Sequence, residues 1–496
     1  MGASNITVDS NTSGLAVAEE VIGAPTTLPA TPTWFPLEPN TYTDFGGQVK
    51  TTKRAPINAS RQKRKGTLTG LDVNVSIAAD FTTKTFYPLM QGFMFANWRE
   101  KDNLVPTAVT VGAYTVSAGG AAFGVNALLF AEGFGVSTNN GLRVLTTAGT
   151  STTVTAGNTA AEGAPPAAAR ITRVGVQGAA GDLAITTASG LFQLASTALD
   201  FTTLGLIPGE WLFIGGDTSA TAFAALANQG WYRIKSVAVN LVVFDRAPDT
   251  VTVDAGAAKT VQVFFGHVIK NESTTALQVF RTYQFERQLS ATQFQYEKGC
   301  GANKFTINVK ANDKVTADLA YVGMVEASAS VAATGNRPAL PKEVLFNSVT
   351  SFSRLRLYSD SGAATLSALL MDVKIDIDNG IVGNEAISSK LGKVNLSAGD
   401  FTVAGSLTAY FSSLAAIDAV KTNPDCSIDF AMVEVAYGAA TGWLFDVPLV
   451  TLGDARLKVE KDKPIMLPIT LEAAGHSVLN HTMMIVRFAF LPTAAL

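Results

Sequence analysis

Charged side chains are scarce in this chain. Lys, Arg, Asp and Glu make up 16% of its 496 residues, well under the roughly 25% of an average soluble protein. A soluble chain so short of charge hides surface in interfaces. The formal net charge is −3, which provides no long-range attraction to nucleic acid or to an anionic membrane. The two cysteines, Cys300 and Cys426, cannot build a disulfide framework; two buried thiols in a reducing compartment is the simpler reading beside a single bridge. The three histidines are His267, His476 and His481. The last two lie near each other without an HExxH pattern or a neighbouring cysteine, so they read as polar loop residues rather than metal ligands. A glycine-rich phosphate loop and a Gly-X-Ser-X-Gly elbow are both missing, and no carboxylate pair is singled out for acid–base work. No enzyme activity, catalytic residue, cofactor or metal is therefore expected. The first residues lack the basic and apolar regions of a secretion signal. The longest uncharged stretch, 104–131, is broken by Gly, Pro, Ser and Thr and does not read as a membrane helix.

What the chain does have is apolar and β-forming. Hydrophobic residues make up 47% and there are 43 glycines, a composition suited to strands joined by tight turns. The length predicts two to four domains. Residues 1–45, with Pro25, Pro29, Pro32, Pro36 and Pro39, read as an N-terminal arm that orders against a neighbour. Leu71, Val73, Val75 and Ile77 then alternate with Asp72, Asn74 and Ser76, the pattern of a half-buried strand. Phe86, Leu89, Met90 and Phe93 predict one short helix ending near Trp98, with Thr83 as its N-cap.

Residues 104–265 are rich in Gly, Ala and Thr and contain an internal repeat. Leu129-Phe130, Asn139 to Val144 and Thr152 to Thr155 form the first copy; Leu212-Phe213, Asn228 to Ile234 and Leu241 to Phe244 form the second. Each copy reads as strand, Asn-X-Gly turn, strand, tight turn, strand, which predicts two small β-barrels in tandem. Alternation returns at Phe305, Ile307 and Val309, at Val315 to Leu319, and at Val373, Ile375 and Ile377. Asp372, Asp376, Asp378 and Asn379 fit the solvent face of that last strand better than a calcium loop, whose spacing they lack. A second helix is expected after Phe401, Val403 and Leu407, with Ser413 as its N-cap and Leu414 and Ile417 inward. A closing hairpin is expected to pair Leu457 and Val459 with Ile465, Leu467, Ile469 and Leu471 before a last strand, Met484 to Phe490.

Val309 to Val315 resembles Val459 to Ile465, both turning at Asp-Lys, and each has a strand-plus-helix unit upstream. This predicts a duplicated module: the first copy from 46–103 plus 266–330, the second from 331–496, with 104–265 inserted in the first.

One charge cluster stands out. Lys50, Lys53, Arg54, Arg61, Lys63, Arg64 and Lys65 occur with no acidic residue between Asp44 and Asp72. Phosphate binding, a solvated loop and a contact with acidic patches on another subunit are the three readings. The lack of interleaved aromatics argues against nucleic acid, and the inter-subunit contact is preferred.

Several segments resemble a known family. Pro36 to Gly47 followed by the basic stretch Pro56 to Gly66, Tyr283 to Leu289, Phe401 to Phe411, Trp443 to Pro448 and Asp462 to Leu467 are similar to the major tail tube proteins of long-tailed, siphovirus-type bacteriophages. The resemblance implies a mainly β fold, a β-sandwich or part-barrel flanked by one short helix, present here twice, with the 104–265 barrels as surface decoration. It implies rings stacked into a hollow conduit for genome delivery: trimeric with pseudo-sixfold symmetry if the duplication holds, hexameric otherwise. DNA would pass in transit, other phage tail proteins would be partners, and no membrane would be involved; the subunit would be assembled in the bacterial host cytoplasm and reside in the virion tail. Competing readings are a capsid, decoration or baseplate protein, a β-rich glycan-binding surface protein, and a depolymerase whose carboxylates nothing nominates.

Overall fold

The structure is a computed structural model that describes residues 13–57, 62–341, 343–359, 370–387, 391–411, 414–436, 439–454 and 456–496. A 16-stranded sheet system forms its body. The strands are β1 (Gly14–Glu19), β2 (Phe35–Leu37), β3 (Pro39–Arg54), β4 (Arg64–Asp80), β5 (His267–Lys270), β6 (Thr282–Ser290), β7 (Gln293–Lys310) and β8 (Thr316–Gly323). They continue with β9 (Val325–Ala329), β10 (Phe352–Ser359), β11 (Leu370–Asp378), β12 (Thr402–Tyr410), β13 (Cys426–Ala436), β14 (Ala439–Gly453), β15 (Met466–Ala473) and β16 (Met484–Leu491).

Alternation in the sequence becomes burial in the sheet. Val75 and Ile77 of β4, Phe305, Ile307 and Val309 of β7, and Val373, Ile375 and Ile377 of β11 all face one continuous core, and Val73 of β4 is buried as well. Their polar neighbours face out, as a period of two requires. Helix α1 (Tyr87–Met94) starts later than its sequence pattern suggests. Pro88 sits in its first turn, where a missing N–H costs nothing, and Thr83 lies upstream as a buried acceptor for the Trp443 indole N–H. Gly92 is required, because a Cβ there would stand 2.6 Å from the Tyr283 ring. Phe93 packs on Phe305 with ring centroids 5.5 Å apart. Helix α2 (Ala415–Thr422) follows β12 and ends on Asn423 in the left-handed region, φ 45°. Ser413, its expected N-cap, lies outside the described residues.

The strand pairing follows one scheme twice. β1 pairs β6, β6 pairs β7, and β9 pairs the N-terminal half of β7. The C-terminal half of β7 pairs β8, β8 pairs β4, and β4 pairs β3. Likewise β10 pairs β13, β13 pairs β14, and β16 pairs the N-terminal half of β14. The end of β14 pairs β15, β15 pairs β12, and β12 pairs β11. α1 follows β4 as α2 follows β12. Asn312 and Asp462 hold the two turns with φ of 60° and 59°. The two sets of strands join where β11 pairs β7, Lys304↔Asp378 through Lys310↔Asp372.

Three expectations need correction. Residues 14–45 are not a detached arm: β1 and β2 belong to the main sheet, and Leu15, Val17, Ala18 and Trp34 are buried there. The closing hairpin is not regular. Only Lys458 bridges Met466, because the chain turns away at Asp454 (φ 60°) once Val450–Gly453 has paired with β15.

The third correction concerns 104–265. No closed barrel forms among the described residues. Residues 103–264 instead build an open ten-stranded sheet and a separate three-stranded one. The repeat is imperfect in pairing. Leu241–Arg246 pairs with Gly230–Ala238, whereas Thr153–Thr155 pairs with Ala113–Val116 rather than with Gly141–Val144. The segment has two cores of its own, one around Tyr114, Leu129 and Ile171 and one around Leu212, Tyr232 and Phe244. A further apolar cluster attaches it to β13, β14 and β16 through Trp231, Phe213, Phe130, Leu444, Val486 and Phe488.

Candidate assembly surface

The basic cluster lies on the long hairpin of β3 and β4. Lys50, Lys53 and Arg54 end β3, Lys63 is in the connection, and Arg64 and Lys65 begin β4. Arg61 lies outside the described residues. The ladder holds to Thr52↔Thr67 and Arg54↔Arg64, which sets two guanidinium groups opposite each other, a repulsive pairing. Every residue from Gln48 to Ile57 is exposed. The outer part of the hairpin thus has no core beneath it and extends for roughly 17–20 Å of ladder at about 3.4 Å per residue.

The cluster divides in two. Lys50, at the base, pairs with Asp72 at 2.7 Å and Glu385 at 3.2 Å, and Lys393 pairs with Asp72 at 2.7 Å. Lys393 first and Lys50 second hold the carboxyls of Asp72 and Glu385 below their ordinary range. The other five described members, Lys53, Arg54, Lys63, Arg64 and Lys65, make no ion pair among the described residues. Exposed apolar groups accompany them: Val49 is 54% exposed and Leu68 50%. The hairpin therefore leaves an unpaired basic stretch and bare apolar groups together in water, a combination that is uncommon on a free surface.

Two strand edges are also open. Among the described residues β3 pairs only β4, so its outer edge presents backbone groups that no strand there takes up. Beyond β14, Leu457 and Val459 make no backbone hydrogen bond among the described residues, while Lys458 between them exchanges both of its bonds with Met466, at 2.9 and 3.1 Å.

Several of the polar residues weighed in the sequence have structural partners. Burial holds His267 and His481 down to about 3, so both rings are neutral. The His267 Nδ1 accepts from the Lys101 backbone N–H at 3.0 Å. Asp376 accepts from Thr306, Asp378 pairs with Lys304 at 3.9 Å, and the buried Asn379 donates to the carbonyls of Phe93 and Ala302. Cys300 and Cys426 are buried and unbridged. No helix among the described residues is long and apolar enough to cross a membrane.

Sequence reading missed the polar joint between the 103–264 segment and β14. Arg233 reaches Asp446 at 3.1 Å and the half-buried Asp245 at 2.9 Å, and next to it Arg354 pairs with Asp429; Arg233, Asp446, Arg354 and Asp429 are buried. Burial pushes the Asp446 carboxyl up to about 6 although Arg233 opposes this. These residues are far apart in the chain, and no local spacing signals them.

Exposed edges and a projecting hairpin characterise a structural subunit that assembles with others. Residues 167–473, more than half of the chain, match the family described as phage tail tube protein. The chain belongs to that family: it is a structural subunit of a phage tail tube, it resides in the virion tail, and it assembles as an oligomer with other tail proteins. No curated protein matches the sequence.

Proposed function

We propose that the chain carries two tube modules and that three chains form a ring with pseudo-sixfold symmetry, the rings stacking into the hollow conduit of a siphovirus-type tail for genome delivery. The observation that carries this reading is the twofold recurrence of the strand scheme, together with the β7–β11 ladder that joins the two sets. Six sheets side by side then need three chains. Residues 46–103 with 266–330, joined by β1, β2 and the start of β3, are the first module and 331–496 the second. Residues 104–265 lie on the outside as decoration. Assembly takes place in the bacterial host cytoplasm.

The outward face of the joined sheet fits the lumen. It carries Asp72, Asp318, Asp372, Asp376, Asp378 and Glu472 against Lys50, Lys304, Lys310 and Lys374. An acidic wall repels phosphate and leaves DNA unbound in transit. The β3–β4 hairpin, with Lys50, Lys53, Arg54, Arg61, Lys63, Arg64 and Lys65, contacts another subunit, and its projection beyond the sheet suits the next ring of the stack. Negative-stain imaging over a concentration series tests the reading. Hollow cylinders with threefold rings are expected; rings of six chains would overturn the two-module scheme, and monomers under every condition the whole reading.

A further inference from the structure

The seam within one chain specifies the seam between chains. In the β7–β11 ladder, Ile307 faces Ile375, Asn308 faces Lys374 and Val309 faces Val373. Each partner has a counterpart on an open edge. Lys458 bridges Met466 at the start of β15 as Asn308 pairs Thr316 at the start of β8. On the other side, Ile77 pairs Leu319 as Leu407 pairs Ile469. Tyr42 pairs Ile77 and Asp44 pairs Ser76, as Val373 pairs Leu407 and Lys374 pairs Ser406. Tyr42, Asp44 and Phe45 therefore hold the places of Val373, Lys374 and Ile375.

We infer that the outer edge of β3 pairs antiparallel with Leu457–Glu460 of a second copy of this chain, with Phe45 facing Leu457, Asp44 facing Lys458 and Tyr42 facing Val459. This rests on the ring proposed above. The chemistry fits at each step. Asp44 and Lys458 are exposed and opposite in charge. Tyr42 is 37% exposed and Val459 68%, so their contact covers apolar surface that a lone subunit leaves in water. Because both bonds of Lys458 go to Met466, the backbone groups of Leu457 and Val459 point toward the incoming strand, and Lys458 with Asp44 forms the close, non-hydrogen-bonded pair of such a ladder. The register steps over Thr43, already bulged between Tyr42 and Asp44. The free run ends at Gly47, whose N–H is taken by Glu326. Each chain thus offers one donor edge and one acceptor edge, a head-to-tail contact that closes as a ring.

Two full-length double variants test this, Asp44→Cys with Lys458→Cys and Asp44→Cys with Val459→Cys. Cα atoms of a close antiparallel pair lie within disulfide reach, whereas the adjacent residue points to the opposite face. After mild oxidation of assembled protein, the first variant should link chains covalently up to closed trimers, several-fold more than the second. Lys458→Glu should block ring formation and Asp44→Lys should restore it. If microscopy shows rings but both cysteine variants link equally, or the charge swap fails to rescue, the register is wrong while the tube reading stands. If the wild type forms no rings, the tube reading falls and the seam with it.

Discussion

Glu297 on β7 is fully buried, and neither of its carboxylate oxygens has a partner among the described residues. Burial pushes it to about 8 despite the charge of Arg287, so the folded protein holds it protonated at neutral pH. Its ordinary value is 4.5. The stability it contributes is therefore complete below that value and lost as pH rises toward about 8. Glu297→Gln should remove this loss. Calorimetric melting should show the wild type falling from pH 6 to 8 and the variant nearly level, about 2 °C or more above it at pH 8; parallel curves would contradict the assignment. Arg233 poses the opposite case, since it compensates the buried Asp446. Arg233→Met should cost about 3–5 kcal/mol and speed hydrogen exchange in Gly230–Ala238, and adding Asp446→Asn should recover much of the loss. A double variant no better than the single one would mean that the pair is not coupled.

The β3–β4 hairpin separates two roles that most strands combine. Its inner part, from Leu71 onward, buries Val73, Val75 and Ile77; its outer part buries nothing. Replacing residues 53–66 by Asn-Gly closes the ladder at Thr52↔Thr67 with a turn suited to two-residue hairpins. Melting should shift by no more than about 2 °C, as for other exposed changes. Rings should still form, but not stacks, as negative-stain images would show; full-length tubes from this variant would remove the hairpin from axial contact.

Residues 103–264 are joined to the body over a large apolar surface. The chain enters them after α1, yet they pack on β13, β14 and β16, with Trp231 against Phe488 at 5.2 Å and Phe130 against Phe490 at 5.1 Å. Their outermost parts suit decoration, while their inner face acts as a cover. Deleting 105–262 should leave Leu444, Val486 and Phe488 bare and drive the protein into aggregates on size-exclusion chromatography, because a patch of that kind is rarely tolerated in water. A monodisperse deletion product would show that the cover is dispensable.

Alternation alone located β4, β7, β11, β12 and β16, since a period of two is a local property that burial only confirms. The matching turns at Asn312 and Asp462 were legible for the same reason, as was the basic hairpin, whose lack of acidic residues is a feature of one short segment. The fate of β1, the open sheet in place of two barrels and the Arg233–Asp446 joint were not legible. Each depends on which distant strand offers a free edge or an apolar face, a choice made only when the whole chain has packed. The sequence by itself thus determined a β-structured, weakly charged subunit. The tertiary structure alone decided that β11 pairs with β7 and leaves β3 and Leu457–Glu460 open, because pairing partners in a sheet are set by long-range backbone hydrogen bonds that no local pattern encodes.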